Sequence, residues 1–153
     1  MTPDEKKASK ATRNAQTREA WRALGFFCHR DDSARLWRLV GDREGLARFA
    51  SLVQAYVADP AHAKVSEHEH HGPYASLELM TWSEPRIDDH AIAGRLENLL
   101  RLASLVTEAL AAASPRDRIR LGEAYAPWSP FDLELEVRAD GFDPASADPK
   151  CWP

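Results

Sequence analysis

The sequence predicts an α+β fold in one domain, and three patterns predict it. Two segments repeat their apolar residues at the three-and-four spacing of a helix, three pairs of short runs carry branched and aromatic residues as strands do, and turn-forming residues separate the members of each pair. The expected order is ββαββαββ, a mainly antiparallel sheet with both helices on one face. Two helices that each carry a single apolar stripe need one apolar sheet face to cover. At 153 residues the chain suffices for one domain around one core.

Taken in order, residues 1–19 are polar and lack apolar periodicity, so a mobile N-terminal tail or frayed helix is expected there, with the domain running from about 20 to 153. The runs Leu24 to His29 and Ala34 to Gly41, separated by Arg-Asp-Asp-Ser, read as a hairpin. A helix follows: Leu46, Phe49, Ala50, Val53 and Val57 share one face, Asp42 is placed to cap its first turn and Pro60 stops it. His71, Gly72 and Pro73 are turn residues between two extended flanks, Lys64 to His70 and Tyr74 to Trp82, which gives a second hairpin. Ile92, Leu96, Leu99, Ala103, Val106 and Leu110 then form a stripe that predicts a helix from Asp89 to Ala113, capped by Asp88 or Asp89 and ended by Ser114-Pro115.

The third hairpin pairs Arg118 to Pro127 with Phe131 to Gly141. Phe131, Leu133, Leu135 and Val137 alternate strictly with Asp132, Glu134, Glu136 and Arg138, so one face is expected in the core and the other is expected to be a solvated acidic ladder. From about residue 142 the chain is rich in Pro and Asp and is expected to be irregular. No close internal repeat is evident.

Composition narrows the function classes. Hydrophobic residues make up 44% and charged residues 29%, the balance of a globular protein. No apolar run approaches the ~18 residues of a membrane span, and no hydrophobic stretch follows the N-terminal charges, so a cytoplasmic location is expected. Cys28 and Cys151 lack metal or redox spacing and are expected to be free thiols. The net charge is −4, and the bases of the N-terminal segment are offset by neighbouring acids, so neither nucleic acid nor membrane is an expected partner. Oligomeric state is left open.

The cluster Glu67-His68-Glu69-His70-His71 bears most directly on chemistry. On a strand, His68 and His70 point to one side while Glu67, Glu69 and His71 point to the other. A zinc site needs three or four ligands. Spacing does not select a third from His29, His90 and the glutamates, so no metal and no cofactor is expected. No nucleophile elbow, phosphate-binding glycine loop or His-Glu-x-x-His helix occurs, so catalysis is not expected either. The alternative is a small hydrolase, metal-assisted or not, using His68 or His70 with Glu67 or Glu69.

One stretch resembles a known family. Gly41, Asp42, Glu44, Gly45 and Leu46 open a helix after a strand, His68 and His70 follow on a strand, and Leu77 to Leu79 lie on the next. This order, from Leu36 to Trp82, resembles a family of small α+β immunity proteins of bacterial polymorphic toxin systems. The resemblance implies a cytoplasmic, non-catalytic protein that binds and neutralises a cognate protein toxin. The acidic ladder of Asp132, Glu134 and Glu136 would suit a basic toxin such as a nuclease. The turn edge with His68, His70 and Tyr74 is the second expected partner surface.

Overall fold

The computed structural model describes residues 2–152. Its elements are α1 (Pro3–Leu24), β1 (Phe27–Asp31), β2 (Leu36–Gly41), α2 (Arg43–Ala58), β3 (His68–His71), β4 (Leu77–Thr81), β5 (Arg86–Ile87), β6 (Ile92–Gly94), α3 (Leu96–Ala111), β7 (Arg118–Arg120), α4 (Gly122–Tyr125) and β8 (Asp132–Val137). The α+β class holds, but the strands form two four-stranded sheets rather than one, with orders β1-β2-β8-β7 and β3-β4-β6-β5. Each sheet consists of two antiparallel hairpins whose inner strands run parallel, β2 beside β8 and β4 beside β6.

The helix α2 forms where its spacing places it. Asp42 caps it, with Oδ1 accepting from the Gly45 N–H at 2.7 Å, and Leu46, Phe49 and Val53 are fully buried. Gly45 is required there because a Cβ would collide with the Gly25 carbonyl. The second helix is shorter than expected. Residues 86–94 form the hairpin β5–β6, and α3 begins at Leu96. Asp88 does not cap a helix; its Oδ1 accepts from the N–H groups of His90 (2.8 Å) and Ala91 (3.0 Å), closing the turn of that hairpin. Ile92 is buried as a strand residue, and Leu100 on α3 is exposed.

The N-terminal segment, expected to be a tail or a frayed helix, is helical over Pro3–Leu24. One apolar anchor near its end ties it down. Trp21 is buried and donates from Nε1 to Asp148 Oδ2 at 2.9 Å, and Arg22 reaches Asp143 at 3.0 Å. The C-terminal segment that receives these contacts forms two 3₁₀ turns, Pro144–Ala147 and Pro149–Cys151. Both cysteines are free. No helix is long and apolar enough to cross a membrane among the described residues.

The topology uncovers an internal repeat. The unit β1β2α2β3β4 and the unit β5β6α3β7β8 have the same order, and each sheet takes one hairpin from each unit. In one sheet Leu39 pairs with Leu135, and in the other Ile92 pairs with Leu79. Superposing those registers matches Gly41 with Gly94 at the two strand ends. At that same offset Glu44, Leu46, Arg48, Ala50, Ser51, Leu52 and Val53 meet identical residues at Glu97, Leu99, Arg101, Ala103, Ser104, Leu105 and Val106. Leu77-Glu78-Leu79 likewise matches Leu133-Glu134-Leu135. The expectation of no repeat is therefore corrected. The two helices pack against each other, α2 against β2 and β8 and α3 against β6, so one core serves both sheets.

Candidate functional site

The acidic ladder is not a solvated face. Glu134 is 2% and Glu136 8% exposed, because β8 is an interior strand with arginines directly opposite on both neighbours. Glu134 pairs in register with Arg38 on β2 and Arg120 on β7, and Glu136 with Arg118 on β7. Arg120 Nε donates to Glu134 Oε2 at 2.7 Å, while Arg38 Nε lies 3.5 Å from Oε1. Arg118 and Arg138 hold the two oxygens of Glu136 at 3.0 and 2.9 Å. Asp132 accepts from Arg120 and from the Gly122 N–H. The three carboxylates are thus compensated by guanidiniums rather than solvated. The alternation of residues 132–138 was legible, but the guanidiniums that cross it lie on other strands; Arg118-x-Arg120 facing Glu134-x-Glu136 was the available signal.

The histidine hairpin stands where the sequence placed it, and its register adds a residue. His68 pairs with Met80 and His70 with Glu78, so His68, His70 and Glu78 lie on one face of β3–β4. His70 Nε2 is 2.9 Å from Glu78 Oε1, and the His68 and His70 rings sit 5.3 Å apart, nearly perpendicular. One ligand atom from each of the three lies within 4.8 Å of the others. His68 Nδ1 is 3.1 Å from the Ser66 carbonyl. On the opposite face Glu69 stands between His62 Nε2 (3.1 Å) and His71 Nε2 (2.8 Å), and His62 stacks on Tyr56 at 3.8 Å. Burial lowers the His71 pKa, against the raising effect of the Glu69 carboxylate. Glu67 is exposed, so the five-residue cluster is divided between two faces and does not converge on one centre.

His70, Glu78 and Tyr74 also line a cleft of about 780 Å³ between edge strand β1 and the β3–β4 hairpin. Its apolar walls include Trp21, Phe27 and Trp37. Tyr74, in the left-handed region at φ 61° in the turn after β3, donates from its hydroxyl to Asp148 Oδ2 at 2.8 Å, and Lys150 Nζ lies 4.3 Å above its ring. Burial pushes the Asp148 carboxyl up, but hydrogen bonds from Trp21, Tyr74 and the Lys150 N–H outweigh it, leaving the group below the usual carboxylate value.

The potential nucleophiles of the cleft are held protonated. Burial pushes the Cys28 thiol far up, and burial together with Asp148 raises the Tyr74 phenol. Burial and the nearby Arg38 lower the His29 pKa. Trp21, Trp37, Asp148 and Lys150 belong to this cleft and were not singled out as site residues from the sequence. They come from α1, β2 and the C-terminal turns, and only tertiary packing brings them together. No family model, no curated protein and no solved structure matches the chain.

Proposed function

We propose that this chain is a cytoplasmic immunity-type protein that binds a cognate protein toxin and neutralises it without catalysis. The cleft beside the histidine hairpin carries the reading. It is open, aromatic-walled and rimmed by His70, Tyr74 and Lys150, a combination that suits the centre of a protein interface. Its thiol and phenol are held in their unreactive forms, which supports binding over nucleophilic chemistry. The partner contact belongs here and not on Asp132, Glu134 and Glu136, whose charges are already met by arginines. A basic toxin is accordingly no longer the favoured class, and the reading rests on cleft shape and aromatic content.

The test is co-expression with the C-terminal domain of the toxin encoded beside this chain. Growth should be rescued, a complex should co-elute on size exclusion, and Tyr74→Ala combined with Lys150→Ala should weaken it by at least about tenfold. Failure of rescue together with absence of a complex would sink the proposal.

A further inference from the structure

We propose that His68, His70 and Glu78 bind one divalent transition-metal ion of the zinc type at the mouth of the cleft. The inference is independent of the toxin-binding reading. Two imidazoles and one carboxylate are a sufficient protein ligand set for zinc, with a fourth position left for water. The strand register supplies the set: His68 and His70 share a face because they are two apart on β3, and Glu78 is the cross-strand partner of His70 on that same face. Their ligand atoms lie within 4.8 Å of one another, and bound ligands sit roughly 3.3 Å apart around an ion at about 2.0–2.1 Å. Small rotations of the two exposed imidazoles close that gap.

Two further observations point to a ligand. The Ser66 carbonyl can only accept, so His68 Nδ1 is the donor in the 3.1 Å contact, and the neutral ring in that tautomer presents its Nε2 lone pair. This is the outer hydrogen bond that metal-binding histidines use to set tautomer and orientation. The second observation comes from the repeat. Glu134, the counterpart of Glu78, lies between the guanidiniums of Arg38 and Arg120, whereas Glu78 has His70 in place of Arg120 and Ala91 in place of Arg38. Its largely buried carboxylate, 14% exposed, therefore lacks the second cation that its counterpart has. On binding, the ion takes the place of the hydrogen between His70 Nε2 and Glu78 Oε1: a singly protonated His70 carries its proton on Nδ1 instead, and a doubly protonated one releases the Nε2 proton to solvent.

The experiment is a calorimetric titration of chelator-treated full chain with zinc chloride, repeated with cobalt(II) to read the visible absorption of a four-coordinate site. About one ion per chain is expected. His68→Ala/His70→Ala should abolish binding and Glu78→Gln should weaken it at least about tenfold, with circular dichroism and metal-free melting close to those of the parent. His71→Asn, on the opposite face, should leave the affinity unchanged. No binding by the parent, retained affinity in the double alanine variant, or an equal loss in His71→Asn would each overturn the proposal.

Discussion

Glu134 and Glu78 occupy matched positions in the two halves of the repeat, and their surroundings show how one scaffold yields a closed structural feature on one sheet and a chemically open one on the other. Around Glu134 the cross-strand neighbours are Arg38 and Arg120, and Arg118 stands beside them opposite Glu136. Around Glu78 the corresponding residues are Ala91, His70 and His68, with Met80 in place of Glu136. Guanidiniums stay charged at any physiological pH and offer only donors, so they neutralise a carboxylate and hold the strands in register. Imidazoles can give up a proton and present a lone pair, so the same backbone geometry leaves capacity for a ligand.

Among single substitutions, the comparison is broken most severely through the apolar residues that both halves share. Leu79 and Leu135 are each fully buried on matched strands, so Leu→Ala at either should cost about 3 kcal/mol, measured by urea unfolding. If one site costs under half as much as the other, the two halves are not mechanically equivalent. Next in size is the carboxylate itself. Glu134→Gln should lose about 2 kcal/mol, less than a fully buried pair because Arg38 and Arg120 can turn to solvent, while Glu78→Gln should lose under about 1 kcal/mol. Changing Glu134 and Glu136 together to Lys should prevent folding, since it would bury like charges beside four arginines.

Smaller again is the contrast between the two helix starts. Asp42 caps α2 with its carboxylate, whereas the matched residue Arg95 has no acceptor and relies on Asn98 Oδ1, which takes the Arg95 N–H at 3.0 Å. Asp42→Ala should cost about 1 kcal/mol and Arg95→Ala under about 0.5 kcal/mol, read from melting shifts. The smallest effect expected is with pH. The folded pKa of His71 is lowered, so the unfolded chain binds the proton more readily, and stability is complete above the unfolded value of about 6.5 and falls as pH drops through it. His29 acts in the same direction. Melting temperature should fall between pH 7 and pH 5, and His71→Asn should reduce that fall; an unchanged slope would show that His71 titrates alike in both states.

Much of the local structure was legible because it depends on neighbours in sequence. The spacing of Leu46, Phe49 and Val53 and the cap at Asp42 are enough to specify α2 with its observed ends, and the strand pairs β1–β2, β3–β4 and β7–β8 form as expected, though in the third the expected strand Arg118 to Pro127 is strand only over Arg118–Arg120 and helical over Gly122–Tyr125. Ile92 misled the reading of α3. It falls four residues before Leu96 and so continues the helical stripe, yet Gly94 and the Asp88 turn end a strand pair there. The repeat was hidden because its identities lie mostly along amphipathic helices, where similar stripes arise without common design, and because the hairpins differ in loop length. The site was legible only in part. His68 stands beside His70, and His70 shares the cleft with Tyr74, but Glu78 needed the strand register, and the arginines that neutralise Glu134 and Glu136 needed the full strand order. The helix at Pro3–Leu24 has no sequence signature beyond Trp21, because what orders its end is the C-terminal segment that it touches.

Because each sheet draws a hairpin from each half, neither half carries a finished sheet of its own. As the chain leaves the ribosome, β2 (Leu36–Gly41) has its partner β1 at once, yet its other edge stays bare until β8 (Asp132–Val137) has been made. Bare strand edges are templates for pairing with other chains, and closing so long a loop is slow. Synthesis of β8 therefore controls when the nascent chain stops being adhesive. A truncation that stops before Asp132 leaves both the edge of β2 and the apolar face beneath it uncovered, and such a fragment should be held by chaperones or should aggregate.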